Sequence, residues 1–137
     1  MTAFRKAAEL TIGILYAIGA LHQTFYVLRH SEQFYVDMAD QAWLPPAQAF
    51  IERFLVPNSV AVTALVALFE ATLAVAILSR GAAVRPALIA GGVFSIVGAL
   101  TGGPVETIGY ALLAALHFWL AAKRRDDSAE NQRLSVV

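Results

Sequence analysis

The 137-residue chain has no cysteine. That absence excludes disulfides, thiolate metal sites, iron–sulfur clusters held by the chain and a CxxC redox pair, so any redox chemistry has to come from a bound cofactor or a partner. Charge is also scarce, at 15% of residues, with ten basic and ten acidic side chains that cancel. No P-loop, GxGxxG strand context, nucleophile elbow or HExxH occurs, and no basic, aromatic surface suits a nucleic acid. A haem bridged by His22 and His117 is disfavoured, because residue counting puts the two about 9 Å apart in depth. No set of residues suggests a metal site.

Apolar residues are what the chain has in excess: 58% of the sequence, with a mean hydropathy of +0.64, where soluble domains hold about 45–50% including glycine. The length suits one compact bundle and no second domain. Four apolar runs, at about 7–28, 59–79, 86–102 and 105–122, are each close to the roughly 20 residues that cross a hydrocarbon layer about 30 Å thick. The basic start Phe4-Arg5-Lys6 before the first run also has the form of a signal peptide. The length of the run and Glu9 within it favour an uncleaved first span.

Arg29 to Val56 is the one long connection, polar as far as Gln41. From Pro46, the residues Ala47, Phe50, Ile51, Phe54 and Leu55 recur at helical spacing opposite Gln48, Glu52 and Arg53. This predicts an amphipathic helix at 46–56, lying on the membrane surface or plugging one end of the bundle, ended by Pro57. Asn58 or Ser59 would cap the second span, and 126–137 reads as a polar tail. The expected fold is therefore all-α, an integral membrane four-helix bundle with an interfacial amphipathic helix in the outer loop between spans 1 and 2.

Eight of the ten basic residues (Arg5, Lys6, Arg80, Arg85, Lys123, Arg124, Arg125 and Arg133) fall on one side of this arrangement, and only Arg29 and Arg53 on the other. The positive-inside rule then predicts a multi-pass protein of the bacterial inner membrane with both termini cytoplasmic and the long loop outside. Ala87, Gly91, Ser95 and Ala99 form a four-residue-spaced ridge of small side chains in the third span. It suits close packing within the bundle or a homodimer interface.

Glu70 lies near the middle of the longest apolar run. A charged group at a helix centre costs about 3 kcal/mol on insertion scales, so it should face other helices and carry a proton or a hydrogen bond. Spacing of seven puts Glu9, Tyr16 and Gln23 on one face of span 1, Thr63 and Glu70 on one face of span 2, and Tyr110 and His117 on one face of span 4. Counting from the helix ends places Tyr16, Glu70 and His117 at one depth, with His22, Gln23 and Tyr110 at a second level nearer the outside. Such a layer suits interhelical hydrogen bonds alone, a ligand pocket, or a proton path. Glu70, His117 and Tyr16 are the candidate acid–base residues, and Gln23, His22, Tyr110 and Thr63 the candidate ligand-binding ones.

The stretches FRKAAELTIGILYAIGA and LFEATLAVAILSRGAAVRPAL, separated by a loop rich in Phe and Pro, resemble the DoxX-like family of small bacterial four-helix membrane proteins. The second span carries Ala71 and Ala74 where the family usually has glycines after its acidic residue. The resemblance implies a four-helix membrane fold and, in some members, association with quinone-linked sulfur oxidation or oxidative-stress enzymes. Only Glu70 carries over to a definite position. The leading expectation is thus an accessory or lipophilic-ligand-binding component linked to redox or quinone metabolism, with a quinone as cofactor and a membrane or periplasmic oxidoreductase as partner. The alternatives are an intramembrane acid–base enzyme, such as an isomerase or cyclase of a lipophilic substrate, and a small proton-coupled exporter.

Overall fold

The structure is a computed structural model that describes the backbone of residues 3–134 and the side-chain surroundings of residues 3–125. Among the described residues it is all-helical, with no strand. In chain order the helices are α1 (Ala3–Phe25), α2 (Ser31–Gln41), α3 (Pro45–Phe50), α4 (Ser59–Leu78), α5 (Val84–Thr101) and α6 (Pro104–Leu134). Three of the helical stretches, Pro45–Leu78, Val84–Thr101 and Pro104–Arg125, are long and apolar enough to cross a membrane. A fourth crossing results if α1 and α2, bent by 41° at the turn between them, count as one.

The exterior explains the composition. Leu65, Leu68, Val75, Val105 and Leu112 are all at least 66% exposed, whereas Glu9, Thr63, Ser95 and His117 are buried. Apolar side chains outside and polar ones inside is the pattern expected when the surrounding medium is itself apolar.

Packing is most extensive within two pairs, α1 with α4 and α5 with α6, and α4 meets α5 less broadly. Glycine permits each close approach. A Cβ on Gly13 of α1 would lie 2.7 Å from Leu78 of α4, and one on Gly92 of α5 would lie 2.8 Å from Phe118 of α6. Ala87, Gly91 and Ser95 are buried inside the bundle and Ala99 is half-buried, so this ridge is occupied within one protomer.

Four local features differ from the sequence reading. Arg29 to Gln41 is not a polar connection: a 3-10 turn at Val27–His30 leads into α2, whose Tyr35 and Ala39 pack with Ile51 in a small second core. Segment 46–56 is not closed by Pro57. The chain stays helical through a π turn at Ile51–Leu55 and a 3-10 turn at Val56–Asn58. A proline ring cannot fit the carbonyl four residues back in an α-helix, and a widened turn relieves that clash. Neither Asn58 nor Ser59 caps α4 with its side chain: Asn58 Nδ2 donates back to the Phe54 carbonyl at 2.8 Å, and Ser59 Oγ accepts from Ser31 Oγ at 3.2 Å. Finally, α6 runs beyond Arg125 to Leu134, so most of the expected polar tail is helix; 135–137 lie outside the described residues.

α2 and α3 lie over the α4 N-terminal end of the bundle. Trp43, in the turn between them, donates Nε1–H to Thr107 Oγ1 at 3.1 Å, and Thr107 in turn donates to the Ala99 carbonyl at 2.8 Å. At the opposite end Arg124 clamps Glu9 with two bonds, Nε to Oε1 at 2.8 Å and Nη2 to Oε2 at 2.6 Å.

Candidate functional site

The seam between the two helix pairs holds a cavity of about 110 Å³. Each of the four long helices contributes a polar side chain to it: Tyr16 from α1, Glu70 from α4, Ser95 from α5, and Tyr110 and His117 from α6. Ile12, Leu15, Phe94 and Leu113 complete the wall.

His117 is fully buried. Its Nδ1 lies 2.7 Å from the Leu113 carbonyl, one turn back on α6. A carbonyl oxygen only accepts, so Nδ1 carries the proton and the neutral ring presents Nε2 as an acceptor. Tyr16 Oη lies 2.9 Å from that Nε2 and donates to it, with the rings edge to face. A chain of two oriented hydrogen bonds thus runs from α1 across the seam into the backbone of α6. Ser95 Oγ bonds to the Gly91 carbonyl at 2.9 Å, satisfying its donor within α5.

Glu70 differs from these. It is 9% exposed, and its Oε2 reaches no hydrogen-bond partner. Space for the cluster comes from three glycines on facing helices. A Cβ on Gly19 of α1 would lie 2.8 Å from Glu70 Oε1. One on Gly91 would lie 2.5 Å from Tyr16 Oη and 2.7 Å from His117 Nε2, and one on Gly98 would lie 3.0 Å from the Tyr110 ring.

Tyr16, Glu70 and His117, expected at one depth, border one cavity. Tyr110, expected at the outer level, joins them. Gln23 and Thr63 do not: they line a separate open groove of about 590 Å³ between α1 and α4, walled by Ala64, Ala67, Ala71 and Ala74. His22 stands apart from both, exposed and stacked on Tyr26 at 5.3 Å between ring centroids. Glu9, aligned in sequence with Tyr16, is taken by Arg124. Ser95, read only as part of a packing ridge, is the cavity residue that sequence reasoning missed. Its one signal was a hydroxyl among otherwise apolar ridge positions. Among the described residues no cluster of three or more His, Asp or Glu could hold a metal ion.

Comparison of the chain with models of known protein families, with characterised proteins and with solved structures gives no match.

Proposed function

We propose that this is a small multi-pass membrane protein of the DoxX-like kind, seated in the bacterial inner membrane with both termini cytoplasmic, which binds a small ligand in the cavity between its two helix pairs. The observation that supports this reading is the Glu70 carboxyl, buried, unpartnered at Oε2 and bordering a cavity to which all four long helices contribute. An unpaired polar group in a dry interior costs about 1–3 kcal/mol and more when charged. A ligand that hydrogen-bonds to Glu70 removes that penalty.

The cavity admits about four water volumes at ~30 Å³ each, so a quinone or other long lipophile does not fit beside Glu70. If a quinone serves this protein, the groove between α1 and α4 is where it lies, with Gln23 and Thr63 as the polar contacts. An oxidoreductase partner in the membrane or periplasm would meet it there. A second reading, an intramembrane acid–base enzyme, draws on the His117–Tyr16 bond. It gives the cavity an oriented donor–acceptor pair on α1 and α6 and a carboxyl on α4, which are the parts needed to move a proton on a bound substrate.

Native mass spectrometry of the protein released from nanodiscs tests the ligand reading. A small-molecule adduct on the wild type that is lost from folded Glu70→Gln is expected; spectra that do not differ count against the cavity as its site.

A further inference from the structure

A second space adjoins the cavity. Toward the end of the bundle covered by α2, a vestibule of about 390 Å³ is bordered by Asp37 and Gln41 of α2, the Gly102-Gly103 turn, and Glu106 of α6. Tyr110 borders both the vestibule and the inner cavity. Its ring rests against α5 where Gly98 offers no Cβ. One aromatic side chain is therefore the partition between an outer chamber and the Glu70 cavity.

The two chambers share a charge pattern. Among the described residues their linings include the carboxyls of Asp37, Glu106 and Glu70, and neither lysine nor arginine. Arg124, half-buried, is paired with Glu9 at the far end of the bundle. The remaining titratable walls are Tyr16, Tyr110 and His117, and the His117 ring has its Nδ1 proton on a backbone carbonyl and its Nε2 accepting from Tyr16. Phe34 in the vestibule and Phe94 in the cavity add aromatic walls. A cleft of one charge sign concentrates the opposite charge and repels its own.

We infer, resting on the ligand reading above, that the ligand is a small organic cation, an amine or quaternary ammonium of about four to six non-hydrogen atoms, which passes from the vestibule by Tyr110 to pair with Glu70. The buried Glu70 carboxyl, which belongs to the cavity wall and has no hydrogen-bond partner at Oε2, is the observation that makes this more than an acidic surface. An anion would be repelled by Asp37 and Glu106 in the vestibule before it reached the Glu70 carboxyl. A hard divalent cation needs six or more oxygen ligands or its own water shell, and the cavity offers one carboxyl and three hydroxyls, of which those of Tyr16 and Ser95 are already hydrogen-bonded. An organic cation is satisfied by one carboxylate and the faces of aromatic rings.

The test uses the full-length protein in nanodiscs, titrated calorimetrically at low and at high salt with tetramethylammonium chloride, with the neutral isostere tert-butanol, and with sodium acetate. Saturable binding of tetramethylammonium alone, lost in Glu70→Gln, is expected. The double variant Asp37→Asn, Glu106→Gln changes only exposed carboxyls. It should slow association about tenfold at low salt and little at high salt. Should Glu70→Gln not fold, this double variant still decides: unchanged association at low salt overturns the cation route. If tert-butanol binds in a Glu70-dependent manner and tetramethylammonium does not, the cavity is a ligand site and the cation inference is wrong. If no probe binds saturably, both the inference and the ligand reading fall.

Discussion

Gly91 and Gly109 are both helical glycines, yet their surroundings predict opposite results. A methyl group on Gly91 would press within 2.7 Å of both Tyr16 Oη and His117 Nε2, and neither can retreat, since each is buried and bound to the other. Gly91→Ala should lower stability by about 1–3 kcal/mol, the usual cost of overpacking. A Cβ added at Gly109 would meet nothing within 4 Å beyond its own helix backbone and chain neighbours, so Gly109→Ala should raise stability by about 0.5–1 kcal/mol through helix propensity alone. Thermal unfolding of both variants in one lipid system checks the pair. Tyr16→Phe separates hydrogen bonding from packing: the ring stays, the His117 acceptor loses its donor, and about 1–3 kcal/mol should go. Glu9→Gln, which removes the charge from a clamp 5% exposed on the Glu9 side, should cost about 1.5–3 kcal/mol. Its effect should fall on stability and leave ligand binding in the cavity unchanged, because Glu9 does not border it.

At the scale of the helix, the sequence was most legible where apolar runs were long and least where a helix is short and mixed. The four runs overlap α1, α4, α5 and α6, although α6 continues well past the expected end, to Leu134. α2 was hidden because Ser31, Tyr35 and Ala39, its buried face, are four apart but only moderately apolar, and Glu32, Asp37 and Asp40 dominate the stretch. Pro57 reads as a stop only if an α-helix is the sole alternative; the π turn before it was not foreseeable from composition. Depth counting set Tyr16, Glu70 and His117 at one level, and the three border one cavity. It set Tyr110 at an outer level, and Tyr110 borders both the outer vestibule and the inner cavity; it had no means of assigning Gln23 to another face. Backbone strain gives a prediction at this scale too. Arg80, just past the end of α4, has φ 57°, the left-handed region that glycine fills without cost. Its N–H bonds to the Ile77 carbonyl at 3.2 Å, closing the helix. Arg80→Gly should keep that closure, relieve the Cβ clash and raise the unfolding temperature, a gain of about 1 kcal/mol. A loss would mean that the Arg80 side chain contributes more than its backbone costs.

For the whole molecule, the α2–α3 cover and the vestibule it encloses gain their meaning from which side of a membrane they face. If α1 without α2 makes the first of four crossings, then α2, the α3 segment and the α5–α6 turn fall on one side, and the start of α1, the end of α6 and the Arg80–Arg85 connection on the other. Eight basic residues on the second side against two on the first predict that α2 faces outward. The absence of cysteine makes this directly measurable, since any single introduced thiol is the only one present. Glu32 in α2 and Ala82 between α4 and α5 are both exposed, and neither borders the inner cavity or the vestibule. In intact cells a membrane-impermeant maleimide should label Glu32→Cys and spare Ala82→Cys, and permeabilisation should make both reactive. The reverse pattern would place the acidic vestibule on the cytoplasmic side and turn the proposed cation route around, so that it would serve release of a cytoplasmic amine rather than its capture from outside. Labelling of both in intact cells would put the two segments on one side, which requires that the single long helix between them, α4, does not carry the chain across the membrane.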